Sequence, residues 1–132
     1  MPQPVVLITG AAGGLGSALA KRFVEGNWRV VATDHNKAGL HELSKQVAVD
    51  TCLQCDLRTT SSCKELVSRT LAHCGRLDAL VNAAGVWREG PVESFSEEDF
   101  DLVMDVNLKA PFFMCAAAVP HLRETRGCIV NI

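Results

Sequence analysis

Residues Val5 to Gly16 read Val-Val-Leu-Ile-Thr-Gly-Ala-Ala-Gly-Gly-Leu-Gly, and this stretch decides the fold. Val5, Val6, Leu7 and Ile8 form an apolar, mostly β-branched run, the composition of a short strand buried on both faces. Thr9 and Gly10 end the run, Gly13, Gly14 and Gly16 follow, and a helical pattern begins at Leu15. A strand, a glycine turn and a helix in succession grip phosphate. Glycines let the backbone approach a ligand closely, and the helix start offers unpaired N–H groups at the positive end of its dipole.

The spacing narrows the choice among nucleotide folds. A P-loop requires Lys and then Ser or Thr after its last glycine, whereas Gly16 is followed by Ser17 and Ala18. The Gly-x-Gly-x-x-Gly of many dehydrogenases is also missing. The pattern present is Thr-Gly-x-x-x-Gly-x-Gly, from Thr9 to Gly16.

A chain of 132 residues suits one domain and can bury roughly two-thirds of its unfolded surface. Its net charge of −2 leaves no basic patch to argue for nucleic acid. No apolar run approaches the ~18 residues of a membrane span, and the N-terminus lacks a basic region with a hydrophobic core, so no membrane is expected and the expected location is cytoplasmic. The 6 cysteines then read as reduced thiols and small core residues. Cys52-Leu53-Gln54-Cys55 has redox or zinc spacing, but no second pair or nearby histidine completes a tetrahedral set, so no metal is expected.

Strands and helices alternate along the rest of the chain. A helix from Leu15 places Leu15, Ala18, Leu19 and Phe23 on one face and ends at Gly26-Asn27. Arg29 to Thr33 is a second buried strand with Asp34 at its end, a helix covers Asn36 to Gln46, and Val47 to Cys55 reads as strand three, followed by Asp56-Leu57. Thr59 to Ser61 offers caps for a helix with the apolar face Cys63, Leu66, Val67, Thr70, Leu71 and Cys74, stopped by Gly75. Leu77 to Val81 is strand four, leading into Asn82-Ala83-Ala84-Gly85, and Val86 to Ser94 is loop. Ser96 and Asp99 resemble a capping box opening a helix with Phe100, Val103 and Met104 on its face. A long apolar helix from Val106 to Arg123 is interrupted at Pro111 and Pro120, and Cys128 to Ile132 is strand five. The fold class is α/β, a doubly wound parallel sheet of five strands with helices on both faces. Ligands of such sheets bind at the carboxyl ends of the strands.

Asp34 lies eighteen residues after Gly16, near the ~20 expected of the acid that holds an adenosine ribose. A carboxylate there accepts from ribose hydroxyls and would repel a 2′-phosphate by several kcal/mol at ~4 Å and an effective dielectric near 20. Position 13 is Gly rather than a basic residue, and His35 is not a strong base. Both point to NAD over NADP. The plainer role for Asp34 is capping the second helix.

The later motifs, taken with the glycine loop, resemble the classical short-chain dehydrogenase/reductase family, in its N-terminal cofactor-binding half. Asp56-Leu57 matches the family's acid beside the adenine. Asn82-Ala83-Ala84-Gly85 matches its Asn-Asn/Ala-Ala-Gly segment, with Ala83 where Asn is commoner. Asn107 matches a helix asparagine that orders a water near the catalytic lysine, and Val106 matches the residue lining the nicotinamide-ribose side. Ile129 to Ile132 is similar to the strand that runs into the family's catalytic serine. The resemblance implies cofactor contacts from Gly10, Ala12, Gly13, Gly14, Leu15, Gly16, Asp34, Asp56, Leu57, Asn82, Ala83, Ala84, Gly85 and Val106. It also implies hydride transfer between nicotinamide and a small carbonyl or alcohol substrate, and a subunit contact through the helix 106–123.

In the family a tyrosine exchanges the proton, a lysine four residues later lowers its pKa, and a serine holds the substrate oxygen. This chain contains 0 tyrosines. It is expected to be the cofactor-binding half and inactive by itself. The four histidines, His35, His41, His73 and His121, read as surface residues, and Trp87-Arg88 are placed to reach toward a substrate or to anchor their loop. The open alternatives are a non-catalytic NAD-binding domain or partner subunit and, against the motifs, a methyltransferase-type nucleotide fold. The long helix, with Leu108, Phe112, Phe113, Met114 and Val119, and the edge of the fifth strand are expected to drive association.

Overall fold

In the computed structural model, which describes residues 1–132, β1 (Val5–Thr9), β2 (Arg29–Asp34), β3 (Thr51–Gln54), β4 (Ala79–Asn82) and β5 (Cys128–Asn131) form one sheet in the order β3-β2-β1-β4-β5. Every neighbouring pair is parallel. The helices are α1 (Gly14–Glu25), α2 (Lys37–Gln46), α3 (Thr60–Cys74), α4 (Glu97–Met104) and α5 (Ala110–Thr125).

The period of two along each strand divides the core into two layers. Val5, Leu7, Val31 and Leu80 pack with Leu66 and Val67 of α3 and with Met114, Ala118 and Leu122 of α5. Val6, Ile8, Val30, Ala32, Ala79 and Val81 face the other way, with Ala20 of α1 and Leu40 and Leu43 of α2. β1 is buried along its whole length because it lies at the centre of the sheet with helices on both faces. Truncating Leu7 to Ala there would cost about 2–5 kcal/mol.

Caps set several boundaries. Thr59 caps α3 by accepting from the Ser62 N–H at 3.2 Å, and Gly75 ends the helix at φ 76°. At the end of α1 the left-handed residue is Asn27, at φ 65°, not Gly26. Ser96 accepts from the Asp99 N–H at 3.1 Å, but the Asp99 carboxylate turns to Arg88 at 3.2 Å, so the capping box is only half formed. Strand three is shorter than the apolar run suggests. The Val47 N–H closes α2 on Leu43, and Val49 turns back on Val47, so pairing in register starts at Thr51.

Neither proline breaks the last helix. Pro111 sits in the first turn of α5, directly after a wide π turn over Asp105–Lys109 in which the Ala110 N–H reaches back five residues to Asp105. Pro111 has no N–H to give and its ring would crowd the carbonyl four residues earlier, and a π turn relieves both. Pro120 lies inside α5 at the cost of one helix hydrogen bond. The helical run Glu97–Thr125 is therefore continuous and, contrary to the sequence expectation, long and apolar enough by length and composition to cross a membrane. Ala110, Met114, Ala118 and Leu122 use part of that apolar length to pack on the sheet.

Candidate functional site

The chain runs outward from β1 to β3, then crosses back to β4 and β5, so strand order reverses between β1 and β4. Such a reversal leaves a crevice at the strand carboxyl ends. A cleft of about 540 Å³ opens there, within the size range of cofactor sites. Its walls are Gly10, Ala12 and Gly13 after β1, Asp34 closing β2, Asp56 and Leu57 after β3, Ala83, Ala84 and Gly85 after β4, and Val106 of the π turn. His35, Asn36, Cys55, Arg58, Val86, Arg88 and Leu102 complete the lining; of these, only Arg88 was expected from sequence to reach toward a substrate.

Gly10 turns the chain at φ 65°, and a Cβ there would lie 2.7 Å from the Ala83 carbonyl oxygen and the Ala84 backbone. That close approach joins the glycine loop to the turn after β4. Thr9, which opens the glycine motif but was not among the expected cofactor contacts, completes the junction, its Oγ1 accepting from the N–H groups of Ala83 and Ala84 at 3.1 Å each. Gly16 is buried, and a Cβ on it would fall onto the Gly10 carbonyl oxygen. Gly14 differs. A Cβ on Gly14 would have nothing within 4 Å, so the protein itself does not exclude a side chain there. Leu15 is exposed beside it.

The Asp34 carboxylate is 10% exposed and held from two sides. The Ala12 N–H donates to its Oδ2 at 3.0 Å and the Asn36 N–H to its Oδ1 at 3.0 Å. It does precede α2 as a capping acid would, but the side chain that caps α2 is that of Asn36, which accepts from the Gly39 N–H. Asp56 is gripped by the Arg58 guanidinium at 2.6 to 3.0 Å, and these bonds hold its carboxyl below the usual carboxylate range. Burial pushes the Cys55 thiol up, so the cysteine in the cleft is not a reactive thiolate.

Asn82 and Asn107 stand behind the cleft wall. Asn82 is buried, and its Nδ2 donates to Oδ1 of Asn131, its register partner on β5, at 2.7 Å. Asn107 exchanges two 2.8 Å hydrogen bonds with the Val86 backbone. Arg88 borders the cleft with its guanidinium on Asp99, while Trp87 is largely exposed.

The cysteine pair with metal spacing is split by the sheet. Cys52 of β3 packs in the α1–α2 layer and Cys55, the residue after β3, in the α3–α5 layer, since residues three apart along extended chain face opposite ways. Asp50, His73 and Cys74 bring donor atoms within 4.8 Å of one another, but Arg29 already forks onto the Asp50 carboxylate at 2.9 and 3.0 Å. His35 and His41 are exposed, His73 pairs with Asp50, and His121 is half-buried.

The cleft suits a dinucleotide. No side chain caps the first turn of α1, no acidic residue lies in that turn, and the space beside Gly14 is open. These are the conditions for anion binding at a helix start. A fixed carboxylate and apolar walls lie along the same crevice.

Residues 4–132 match the family of short chain dehydrogenases. The chain is 35% identical over 129 residues to an L-fucose dehydrogenase of Oryctolagus cuniculus, covering 97% of this chain and 45% of that protein. It is similar to the solved 3-ketoacyl-(acyl-carrier-protein) reductase from Brucella melitensis complexed with NADH, with a TM-score of 0.89, 30% identity and coverage of 97% of this chain and 55% of that one. A metagenomic short-chain oxidoreductase in complex with NADP superposes with a TM-score of 0.91 and 31% identity, over 97% of this chain and 61% of that one. The chain spans about half the length of the relatives it matches. With the five-stranded parallel sheet, the glycine turn and the cleft at the strand reversal all in accord with these likenesses, the chain belongs to the short chain dehydrogenase family.

Proposed function

We propose that this chain is the cofactor-binding half of an NAD(H)-dependent oxidoreductase acting on a small carbonyl or alcohol substrate, in the cytoplasm. The observation that carries the preference for NAD is the Asp34 carboxylate, fixed by two backbone N–H groups at the cleft wall. The two solved relatives hold different nicotinamide cofactors, so the preference rests on this residue. When bound, the nicotinamide supplies the hydride donor or acceptor.

In this proposal the N–H groups at the start of α1 hold the pyrophosphate, Asp34 accepts from the adenosine ribose, and Asp56 and Leu57 flank the adenine. Ala83 to Gly85 and Val106 border the nicotinamide side, while Asn82 and Asn107 hold that wall in place. Hydride transfer to a carbonyl leaves an alkoxide that needs a positioned acid. With 0 tyrosines and no histidine among the cleft residues other than the exposed His35, the chain has no evident proton donor at the nicotinamide side and is proposed to be inactive by itself. That same absence supports a second reading, a non-catalytic NAD-binding subunit.

Calorimetric titration with NADH and NADPH tests the cofactor assignment. Tighter binding of NADH is expected, with Asp34→Ser narrowing the gap, and equal or reversed affinities overturn it. Following NADH absorbance over a panel of ketones and alcohols tests the rest, since turnover by the chain alone would overturn the proposed inactivity.

A further inference from the structure

Four residues close a ring of contacts beside the cleft. The Ala12 N–H donates to Oδ2 of Asp34 at 3.0 Å, Oδ1 of Asp34 accepts the Asn36 N–H at 3.0 Å, and Oδ1 of Asn36 accepts the Gly39 N–H at 3.0 Å. Gly39 then returns to the start, because a Cβ at position 39 would lie 2.8 Å from the Cβ of Ala12 and 2.9 Å from Nδ2 of Asn36. Glycine is a poor helix former, yet one stands in the first turn of α2. The contact with Ala12 supplies the reason, since any side chain there would push the helix off the glycine loop or the loop off Asp34.

We propose that Gly39 and Asn36 are positioning residues for the cofactor, the first turn of α2 holding the glycine loop and the Asp34 carboxylate in one fixed relation that sets the choice between NAD and NADP. This rests on the cofactor assignment proposed above. A carboxylate with each oxygen held by a backbone N–H cannot rotate, so its charge stays where a 2′-phosphate would meet it. Released from Ala12, the same carboxylate can turn away and no longer excludes the phosphate. Selectivity then depends on a helix turn whose Gly39 lies outside the cleft lining and whose Asn36 stands at its edge. His35 is the other titratable group at this carboxylate, its Nδ1 3.2 Å from Oδ1 of Asp34, but it is exposed and stands outside the ring.

The test uses the whole chain with Gly39→Ala and Asn36→Ala and two readouts. In the cofactor-free chain the Ala12 amide should be protected from hydrogen exchange in the parent and should exchange about tenfold faster or more in both variants, relative to the Leu7 amide of the core. In titrations, the ratio of NADH to NADPH affinity should fall by about threefold or more in both. Unchanged exchange at Ala12 overturns the ring. Affinities that fall in equal proportion, leaving the ratio intact, overturn the selectivity role and leave only a structural one. Asn36→Ala adds no atoms, so it carries both readouts should Gly39→Ala fail to fold. A parent chain that binds NADPH as well as NADH overturns the cofactor assignment, and with it the selectivity role, while exchange at Ala12 still judges the ring separately.

Discussion

Asn107 and Val86 exchange a reciprocal pair of hydrogen bonds, the Val86 N–H donating to Oδ1 and Nδ2 donating to the Val86 carbonyl, each at 2.8 Å. One side chain in the π turn thereby satisfies both backbone groups of the residue following Asn82-Ala83-Ala84-Gly85. The Oδ1 atom also lies 3.6 Å from where a Cβ on Gly85 would stand. The cleft wall on that side is held by a side chain, not by sheet hydrogen bonds.

Asn107→Asp keeps the acceptor and removes the donor, whereas Asn107→Ala removes both. The site is open to water, so the alanine variant should lose about 1 kcal/mol and the aspartate variant less. Urea denaturation measures the loss. Amide exchange at Val86 should accelerate in Asn107→Ala and stay slow in Asn107→Asp, and equal acceleration in the two would show that Oδ1 does not hold this N–H.

Glycines 14 and 16 should part company. At position 16 a methyl group would fall onto the Gly10 carbonyl, so Gly16→Ala should cost more than about 3 kcal/mol or prevent folding. At position 14 the protein leaves open space, so Gly14→Ala should stay within about 1 kcal/mol of the parent in stability. If the start of α1 holds the pyrophosphate as proposed, Gly14→Val should still fold while losing NADH binding. Thermal unfolding and calorimetry on the same samples separate the two effects, and normal NADH binding by Gly14→Val would deny the loop its phosphate.

Acid should weaken the fold through Asp78. Burial pushes this carboxyl up, but the Arg76 guanidinium at 2.6 and 2.8 Å and the Val5 N–H at 2.8 Å outweigh it and hold the group below the ordinary value of 3.8. A carboxyl lowered in the folded state stabilises the protein fully above its unfolded value, and that stabilisation is lost as pH falls through the folded value. Stability should therefore drop as pH descends below about 4. Arg76→Gln removes the main opposing charge, so it should be less stable near neutrality and show a flatter acid limb in denaturation curves from about pH 2.5 to 7. An unchanged limb would assign the acid loss to other carboxylates.

The expected association surface is partly redrawn by the structure. Of the residues named from sequence, Met114 is fully buried and Phe113 and Val119 are half-buried, leaving Leu108 at 60% and Phe112 at 65% exposure. Phe100 and Met104 join them, each four residues from the next along the helical run. Self-association through this stripe is proposed. Leu108→Glu with Phe112→Glu should sediment as monomer at concentrations where the parent associates, because two buried charges would each need desolvation. A parent that is monomeric at every concentration would overturn it.

By itself, the sequence determined the element order and the location of the glycine turn. Buried-strand runs, helical periodicity and caps such as Thr59 and Ser96 are local signals written within a few residues of each other. The set of strand ends that gather at the crevice followed from the same alternation, since parallel strands present all their carboxyl ends on one edge. What only the tertiary structure decided depends on residues far apart in sequence, whose register no local pattern states. Ala12 meets Asp34 across 22 positions, Asn107 reaches Val86 across 21, and Thr9 accepts from Ala83 across 74. The separate fates of Gly14 and Gly16 are of this kind, because one faces open space and the other the Gly10 carbonyl. So is the division of Cys52 from Cys55, which the pleat assigns to opposite layers once β3 is in register with β2. Periodicity marks a residue as apolar or small; the atoms it meets are chosen by packing.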